Sequence, residues 1–203
     1  NPLNFITLKT QKEDFLLIDF FIQFMSNIER PLLTNTFLNF LNKLDLSNST
    51  YLEIGSGNST IYFSKVFKNI VSFEDDLTWF HKLNKLNIPN LKLEFFDTNS
   101  VFDTCVPCIG KVNPLTTHLS KPNLFIMIDN NPVRISRLKF AEFIDKYKKE
   151  DSIIILDNGE KNYDAMSFLK SKYYCLDFPG TRYDNTFSVT SVFFNNKNYE
   201  RII

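Results

Sequence analysis

The run Tyr51-Leu52-Glu53-Ile54-Gly55-Ser56-Gly57-Asn58-Ser59-Thr60 constrains this chain more than any other feature. An apolar stretch leads into a glycine pair that permits a tight turn and lets a ligand approach the backbone. Small polar residues then open a helix. Ile70-Val71-Ser72-Phe73-Glu74 follows as a second apolar run ending in an acid. Strand, glycine turn, helix and a second strand with a terminal carboxylate suit a nucleoside-bearing cofactor, because that acid can accept both hydrogen bonds of a ribose diol. The chain holds only 5 glycines in 203 residues, so two of them this close together stand out from chance.

The rest of the pattern predicts an alternating series of strands and helices. Apolar residues at helical spacing mark 12–28 (Phe15, Leu16, Ile18, Phe21, Ile22, Met25), and Pro31 opens a second helical stretch to about Leu44. Strands are expected near 50–54, 70–73, 91–96, 124–128 and 152–156, with helices near 59–67, 76–86, 133–147 and 163–169 between and after them. Ser152–Leu156 is rich in Ile, as a central parallel strand requires. Residues 173–178 and 188–194, separated by Pro179-Gly180, read as an antiparallel strand pair at the C-terminal end. Residues 97–121 form the longest irregular stretch, the length of an active-site cover or interaction loop. The expected fold is α/β: an open, doubly wound, mostly parallel Rossmann-like sheet with N-terminal helices. One domain over 1–203 is the economical reading, with 1–45 as a helical N-terminal extension.

Composition removes several function classes. Lys plus Arg equals Asp plus Glu at 23 each, which removes the electrostatic argument for a nucleic-acid backbone as main partner. No apolar run is long enough to span a bilayer, and the first residues lack a basic tip and a small-residue cleavage site, so a cytoplasmic protein without a membrane partner is expected. Three cysteines give no disulfide framework. Cys105 and Cys108 have metal-ligand spacing but no second pair, and His118 reads as a loop residue.

These motifs resemble those of class I S-adenosylmethionine-dependent methyltransferases over most of residues 30–195, and in particular a small group of methyltransferase-like proteins. The resemblance is carried by Glu53-Ile54-Gly55-Ser56-Gly57-Asn58-Ser59-Thr60, by Ser72-Phe73-Glu74, by Ile128-Asp129 with Arg134, and by Leu156-Asp157. It implies S-adenosyl-L-methionine as cofactor. Glu53 would hold the ammonium end, directly or through water. The turn of Gly55, Ser56, Gly57, Ser59 and Thr60 would face the cofactor, and Glu74 would take the ribose hydroxyls with Asp75 beside it. Asp97 would lie near the adenine amine and Asp129 on the cleft wall. Alternative readings stand beside these: Glu53 as a strand-end carboxylate held by backbone amides, Asp75 and Asp76 as helix caps, and Asp97-Thr98-Asn99-Ser100 as a turn.

Asp129, Asp157 and Asn158 also resemble the Asp, Asp-Asn metal set of catechol-type O-methyltransferases, and they are the candidate catalytic residues. Oxygen ligands of this kind suit Mg²⁺ or Ca²⁺, yet Asp129-Asn130-Asn131-Pro132 and Asp157-Asn158-Gly159 are also ordinary turn sequences, so no metal is assigned. Arg134, Arg137, Lys161, Tyr163, Arg182 and Tyr183 are further cleft candidates. No Asn-Pro-Pro-Tyr-like motif follows the fourth strand, which leaves a small-molecule or sugar acceptor by exclusion. A nicotinamide-dependent oxidoreductase is a weaker alternative, because Thr60 stands where a dinucleotide site wants a third glycine. A non-catalytic binding or scaffold protein on the same fold is the other.

Overall fold

A computed structural model of the chain describes residues 30–96 and 113–202. Seven strands form one sheet: β1 Thr50–Ile54, β2 Asn69–Glu74, β3 Leu91–Phe95, β4 Leu124–Ile128, β5 Ile153–Leu156, β6 Tyr174–Thr181 and β7 Phe187–Phe194. The helices are α1 Asn35–Leu41, α2 Asn58–Phe63, α3 Leu77–Asn84, α4 Pro114–Leu119, α5 Arg137–Tyr147, α6 Tyr163–Lys170 and α7 Tyr199–Ile202, with short 3₁₀ turns at Gly159–Lys161 and Asn196–Asn198. Strand order is β3-β2-β1-β4-β5-β7-β6. The first five strands pair in parallel, while β7 runs antiparallel to both β5 and β6. The expected doubly wound sheet with a C-terminal antiparallel pair is therefore present. No helix among the described residues is long and apolar enough to cross a membrane.

The side-chain period of two sorts each strand between two apolar layers. Leu52, Ile54, Ile126, Ile128, Ile154 and Leu156 face a layer completed by Phe140, Ala141 and Ile144 of α5 and by Ala165 and Leu169 of α6. Tyr51, Phe125, Met127, Ile153 and Ile155 face the other layer, with Leu33, Phe37 and Leu41 around α1 and with Phe63 and Phe67. Residues of β4 and β5 are buried on both faces, which is why these strands read as unbroken apolar runs. Some of the abundant Phe builds a ring stack: Tyr51 lies 4.5 Å from Phe63 and 5.2 Å from Phe67, which lies 5.6 Å from Phe125.

Several boundaries differ from expectation, each for a local reason. The first described helix starts at Asn35, not Pro31, because Thr34 caps it by accepting from the Phe37 amide. The Thr34 hydroxyl also donates to the Phe178 carbonyl at 2.9 Å, anchoring α1 on β6. Helix α5 starts at Arg137, not Val133, since turns over Asn131–Ile135 come first and Ser136 caps the helix by accepting from the Leu138 amide. The stretch expected to be irregular contains α4, capped by Asn113 with Pro114 at its first position, so His118 is a buried helical residue and not a loop residue. The 3₁₀ turns and α7 carry too little periodicity to be foreseen. The expected helix over 12–28, Asp97, Cys105 and Cys108 lie outside the described residues.

The strand order reverses between β1 and β4, the place where an open sheet of this kind forms a crevice at the carboxyl ends of its strands. Its floor depends on the central layers. Ile126→Ala, fully buried in β4, is expected to destabilise the protein by about 2–5 kcal/mol, read as a lower urea midpoint at unchanged m-value.

Candidate functional site

Gly55 ends β1 with φ +93°, a conformation that L side chains rarely adopt. A Cβ there would sit 2.6 Å from the Asp129 carbonyl oxygen and 2.7 Å from the Asn130 backbone. This glycine is thus required by the loop after β4, which it meets backbone to backbone. Gly57 is the opposite case. Its backbone is extended, and a Cβ would meet nothing within 4 Å, so the surface above it is open. Its amide donates to the Thr60 hydroxyl at 2.9 Å, closing the turn onto α2.

Beneath the turn lies Glu53, fully buried on the apolar face that carries Tyr51. Four hydroxyls donate to its carboxylate: Tyr51 at 3.1 Å, Thr60 at 2.5 Å, Ser72 at 2.8 Å, and Ser59. Burial pushes its pKa up to about 6 against the lowering effect of these four donors. Tyr51 is pushed well above its ordinary value, first by burial and then by the Glu53 charge. Of the two readings of Glu53, the held strand-end carboxylate matches the geometry, with hydroxyls in place of backbone amides.

Glu74 closes β2. One carboxylate oxygen accepts from the Ser56 amide at 2.6 Å, the other from the amides of Asp75 at 3.1 Å and Asp76 at 2.8 Å. Burial raises its pKa in spite of these bonds. The Ser56 hydroxyl meets that of Ser72 at 2.6 Å. Asp76 caps α3 by accepting from the amides of Thr78 and Trp79, whereas Asp75 pairs with Arg134 at 3.2 Å. Arg134 also reaches Asp76 at 2.8 Å and so ties the loop after β4 to the end of β2. Its hydrogen bond to Asp76 is the main cause that lowers the Asp76 pKa.

The ends of β4 and β5 are joined by two arginines. Arg137 is buried: its Nη2 donates to Asp129 at 3.0 Å, its Nε to the Asn130 carbonyl at 3.1 Å, and its Nη1 to the Asp157 carbonyl. Arg182, from the β6–β7 hairpin, donates to the Asp157 carboxylate at 2.9 Å, to the Ser188 hydroxyl at 2.8 Å and to the Asn158 side-chain carbonyl. Asp157 also accepts from the Thr190 hydroxyl at 3.0 Å and the Asn158 amide group at 2.6 Å. Asn158 itself adopts a left-handed conformation, φ 52°, as the turn reading of Asp157-Asn158-Gly159 implies. Burial first, then the neighbouring Asp129 charge, push Asp157 well above the usual carboxylate range. Burial also raises Asp129, against the pull of Arg137.

The two acids differ in access. The Asp157 side chain is 1% exposed, while that of Asp129 is 25% exposed and its Oδ1 alone holds Arg137. Asp157 and Asn158 are committed to the arginine network, and Asp129 keeps a partly exposed edge. Among the described residues no group of three or more His, Cys, Asp or Glu side chains is placed to hold a metal ion.

The structure thus gathers Glu53, Gly55, Ser56, Gly57, Ser59, Thr60, Glu74, Asp75, Asp129, Asp157 and Asn158 around one crevice, with Asp97 outside the described residues. Sequence reading missed Tyr51, Ser72, Thr190, Ser188 and Glu160 as members of this network. Ser72 was legible in principle: a Ser inside an apolar strand needs a partner, and parallel pairing sets it beside Glu53.

No protein-family model matches the chain, and no curated protein matches it in sequence. Solved structures do match in fold. A Klebsiella pneumoniae protein assigned as an O-methyltransferase is 12% identical, with 73% of each chain covered and a TM-score of 0.55. Fibrillarin from Aeropyrum pernix, solved with natively bound S-adenosyl-L-methionine, is 13% identical over 78% of this chain and 71% of its own, with a TM-score of 0.53. A methyltransferase from Pyrococcus furiosus is 16% identical over 77% and 80%, with a TM-score of 0.51. The chain has the fold of class I S-adenosylmethionine-dependent methyltransferases.

The buried Glu53 makes a pH prediction. Its folded pKa of about 6 lies above the ordinary 4.5, so the folded state binds the extra proton between these values. Its contribution is fully present below pH 4.5 and is lost as pH rises through 6. Relative to Glu53→Gln, the wild type should lose about 2 kcal/mol of stability across that window, measured by chemical denaturation at a series of pH values. A pH-independent difference between the two proteins would contradict the assignment.

Proposed function

We propose that this chain is an S-adenosyl-L-methionine-dependent methyltransferase acting on a small-molecule or sugar acceptor, working as a single domain. The observation that carries the reading is the open space at Gly57, in the turn after β1, at the same sheet edge as Glu74 at the end of β2 and the partly exposed Asp129 after β4.

The donor set fits this cofactor. A carboxylate offers about four lone-pair positions, and backbone amides take three at Glu74, which leaves capacity for a ribose hydroxyl. Among the described residues, Glu53, Asp129 and Asp157 lie under or beside the turn, with Arg137 and Arg182 as the counter-charges that pair with the two aspartates. This surplus of carboxylate favours a cationic ligand over a phosphorylated one. Thr60 fills the place of a third glycine with a hydroxyl committed to Glu53, which favours this cofactor over a dinucleotide.

When bound, the cofactor supplies an activated methyl group. The chain's part is to position the acceptor and exclude water. Asp129, raised toward neutrality and exposed at one edge, is the group suited to take a hydroxyl proton from an acceptor that carries one. Asp157, Asn158 and Arg182 hold the loop ends and act through position. No metal step is invoked.

Titration of the folded protein with S-adenosylhomocysteine is expected to show binding. Gly57→Val, which fills the open surface without meeting protein atoms, should lower affinity at least tenfold while changing stability by about 1 kcal/mol or less. A folded wild type that binds no S-adenosylhomocysteine at millimolar concentration would overturn the proposal.

A further inference from the structure

Seven aromatic side chains are substantially exposed among the described residues: Trp79, Phe95, Tyr163, Tyr174, Tyr183, Phe187 and Tyr199. Singly exposed apolar residues are ordinary. What separates these seven is whether their rings have company. Tyr174 and Tyr199 pack on each other and on Phe194. Phe95 packs on Phe80, and Trp79 lies under the Lys82 ammonium. Tyr163, Tyr183 and Phe187, exposed by 75%, 44% and 65%, have neither a ring nor a cation partner among the described residues.

The three unpartnered rings share one part of the fold. Tyr163 opens α6 just after the turn that follows β5. Tyr183 lies in the β6–β7 hairpin, and Phe187 begins β7, paired with Thr181 at the end of β6. All three therefore sit at the carboxyl edge of the sheet, on the β5–β7–β6 half. The segments that carry them are stitched together. Ser188 donates to Glu160 at 3.2 Å, the Val189 amide donates to Glu160 at 2.9 Å, and Arg182 reaches Asn158 and Asp157. The other half of the crevice, over β1 and β2, holds the glycine turn and Glu74, where the cofactor is proposed to lie. The β5–β7–β6 half is what remains for the acceptor.

Charge narrows the class. Each arginine at this edge already faces a carboxylate: Arg134 faces Asp75 and Asp76, Arg137 faces Asp129, and Arg182 faces Asp157. Lys161 is exposed on the rim, but among the described residues at this edge no arginine fork is free to receive a phosphate or carboxylate. Rings without partners, carried on braced segments beside an acidic floor, suit a flat, uncharged ring system that stacks and places a hydroxyl near Asp129.

We infer that the acceptor is an uncharged aromatic compound bearing a hydroxyl, seated against Tyr163, Tyr183 and Phe187. This rests on the methyltransferase reading and narrows its acceptor to aromatic compounds over sugars. Transfer to such a compound balances simply. The acceptor oxygen forms a bond to the methyl carbon, the carbon–sulfur bond breaks with its electron pair going to sulfur, and the hydroxyl proton passes to the Asp129 carboxylate.

The test uses the full chain and 2-naphthol as probe. Binding of S-adenosylhomocysteine is measured first by calorimetry, then 2-naphthol is titrated into the protein saturated with it, with glucose and glucose 6-phosphate as comparison ligands. Methyl transfer from labelled S-adenosylmethionine to the same three compounds is followed in parallel. The expected result is binding and methylation of 2-naphthol alone. Tyr163→Ala, Tyr183→Ala and Phe187→Ala should each raise the KM for 2-naphthol about fivefold to tenfold. The kcat, the melting temperature and S-adenosylhomocysteine affinity should stay unchanged. Protein that binds S-adenosylhomocysteine but binds and methylates the sugar or its phosphate in preference to 2-naphthol overturns this inference and leaves the methyltransferase reading intact. So does a 2-naphthol KM indifferent to all three substitutions. Failure to bind S-adenosylhomocysteine overturns the reading beneath it.

Discussion

A carboxylate fixed inside an apolar layer sets the geometry of this molecule. Glu53 occupies a fully buried strand position on the face that carries Tyr51 and Met127, with Ser72 beside it on β2. Leaving a carboxyl group unpaired there would cost several kcal/mol. Hydroxyls from β1, β2 and α2 meet it instead, so three elements are tied to a single group. Because Ser59 and Thr60 are both held by it, α2 can leave the glycine turn in only one direction. The open surface above Gly57 follows from that direction.

The crevice is built by the same means one step further out. Glu74 orders backbone amides on both sides of itself, and Arg137 gathers the carbonyls and carboxylates at the ends of β4 and β5. Each polar side chain here satisfies loop backbone that has left the sheet ladder and would otherwise lack partners. The ligand contact proposed for Glu74 would therefore fall on a group that also orders backbone. The exception is the outer edge of Asp129, where a carboxylate remains partly exposed beside a wall that is already organised.

Most of the fold was legible because strand positions are written in short range. The unbroken apolar runs of β4 and β5 and the acids ending β1 and β2 act locally. Pro179-Gly180 does not separate the C-terminal pair as expected: both residues lie inside β6, paired with Val189 and Ser188, because an edge strand tolerates a missing donor, and the turn comes after Thr181. Helix starts were less legible, since Thr34 and Ser136 act as caps only because tertiary contacts choose them over nearby Pro31 and Val133. The site divides in the same way. Gly55, Gly57 and Glu74 announce themselves by spacing. Arg182 and Thr190 reach Asp157 from 25 and 33 residues away through an antiparallel strand inserted beside β5, and no local pattern encodes that distance. The carboxylates of Asp157 and Glu53 looked like ligand groups in sequence because the hydroxyl and guanidinium partners that occupy them are set by strand pairing.

The contact between Gly55 and the backbone of Asp129 and Asn130 has a consequence for how such a chain can change over time. Where two loops touch through main-chain atoms alone, the spacing between them is indifferent to which side chains surround them. One position must stay bare, and nearly every neighbour is free to drift. A lineage can then replace the walls of the crevice, and with them its chemical preferences, without disturbing the seam that aligns its two sides.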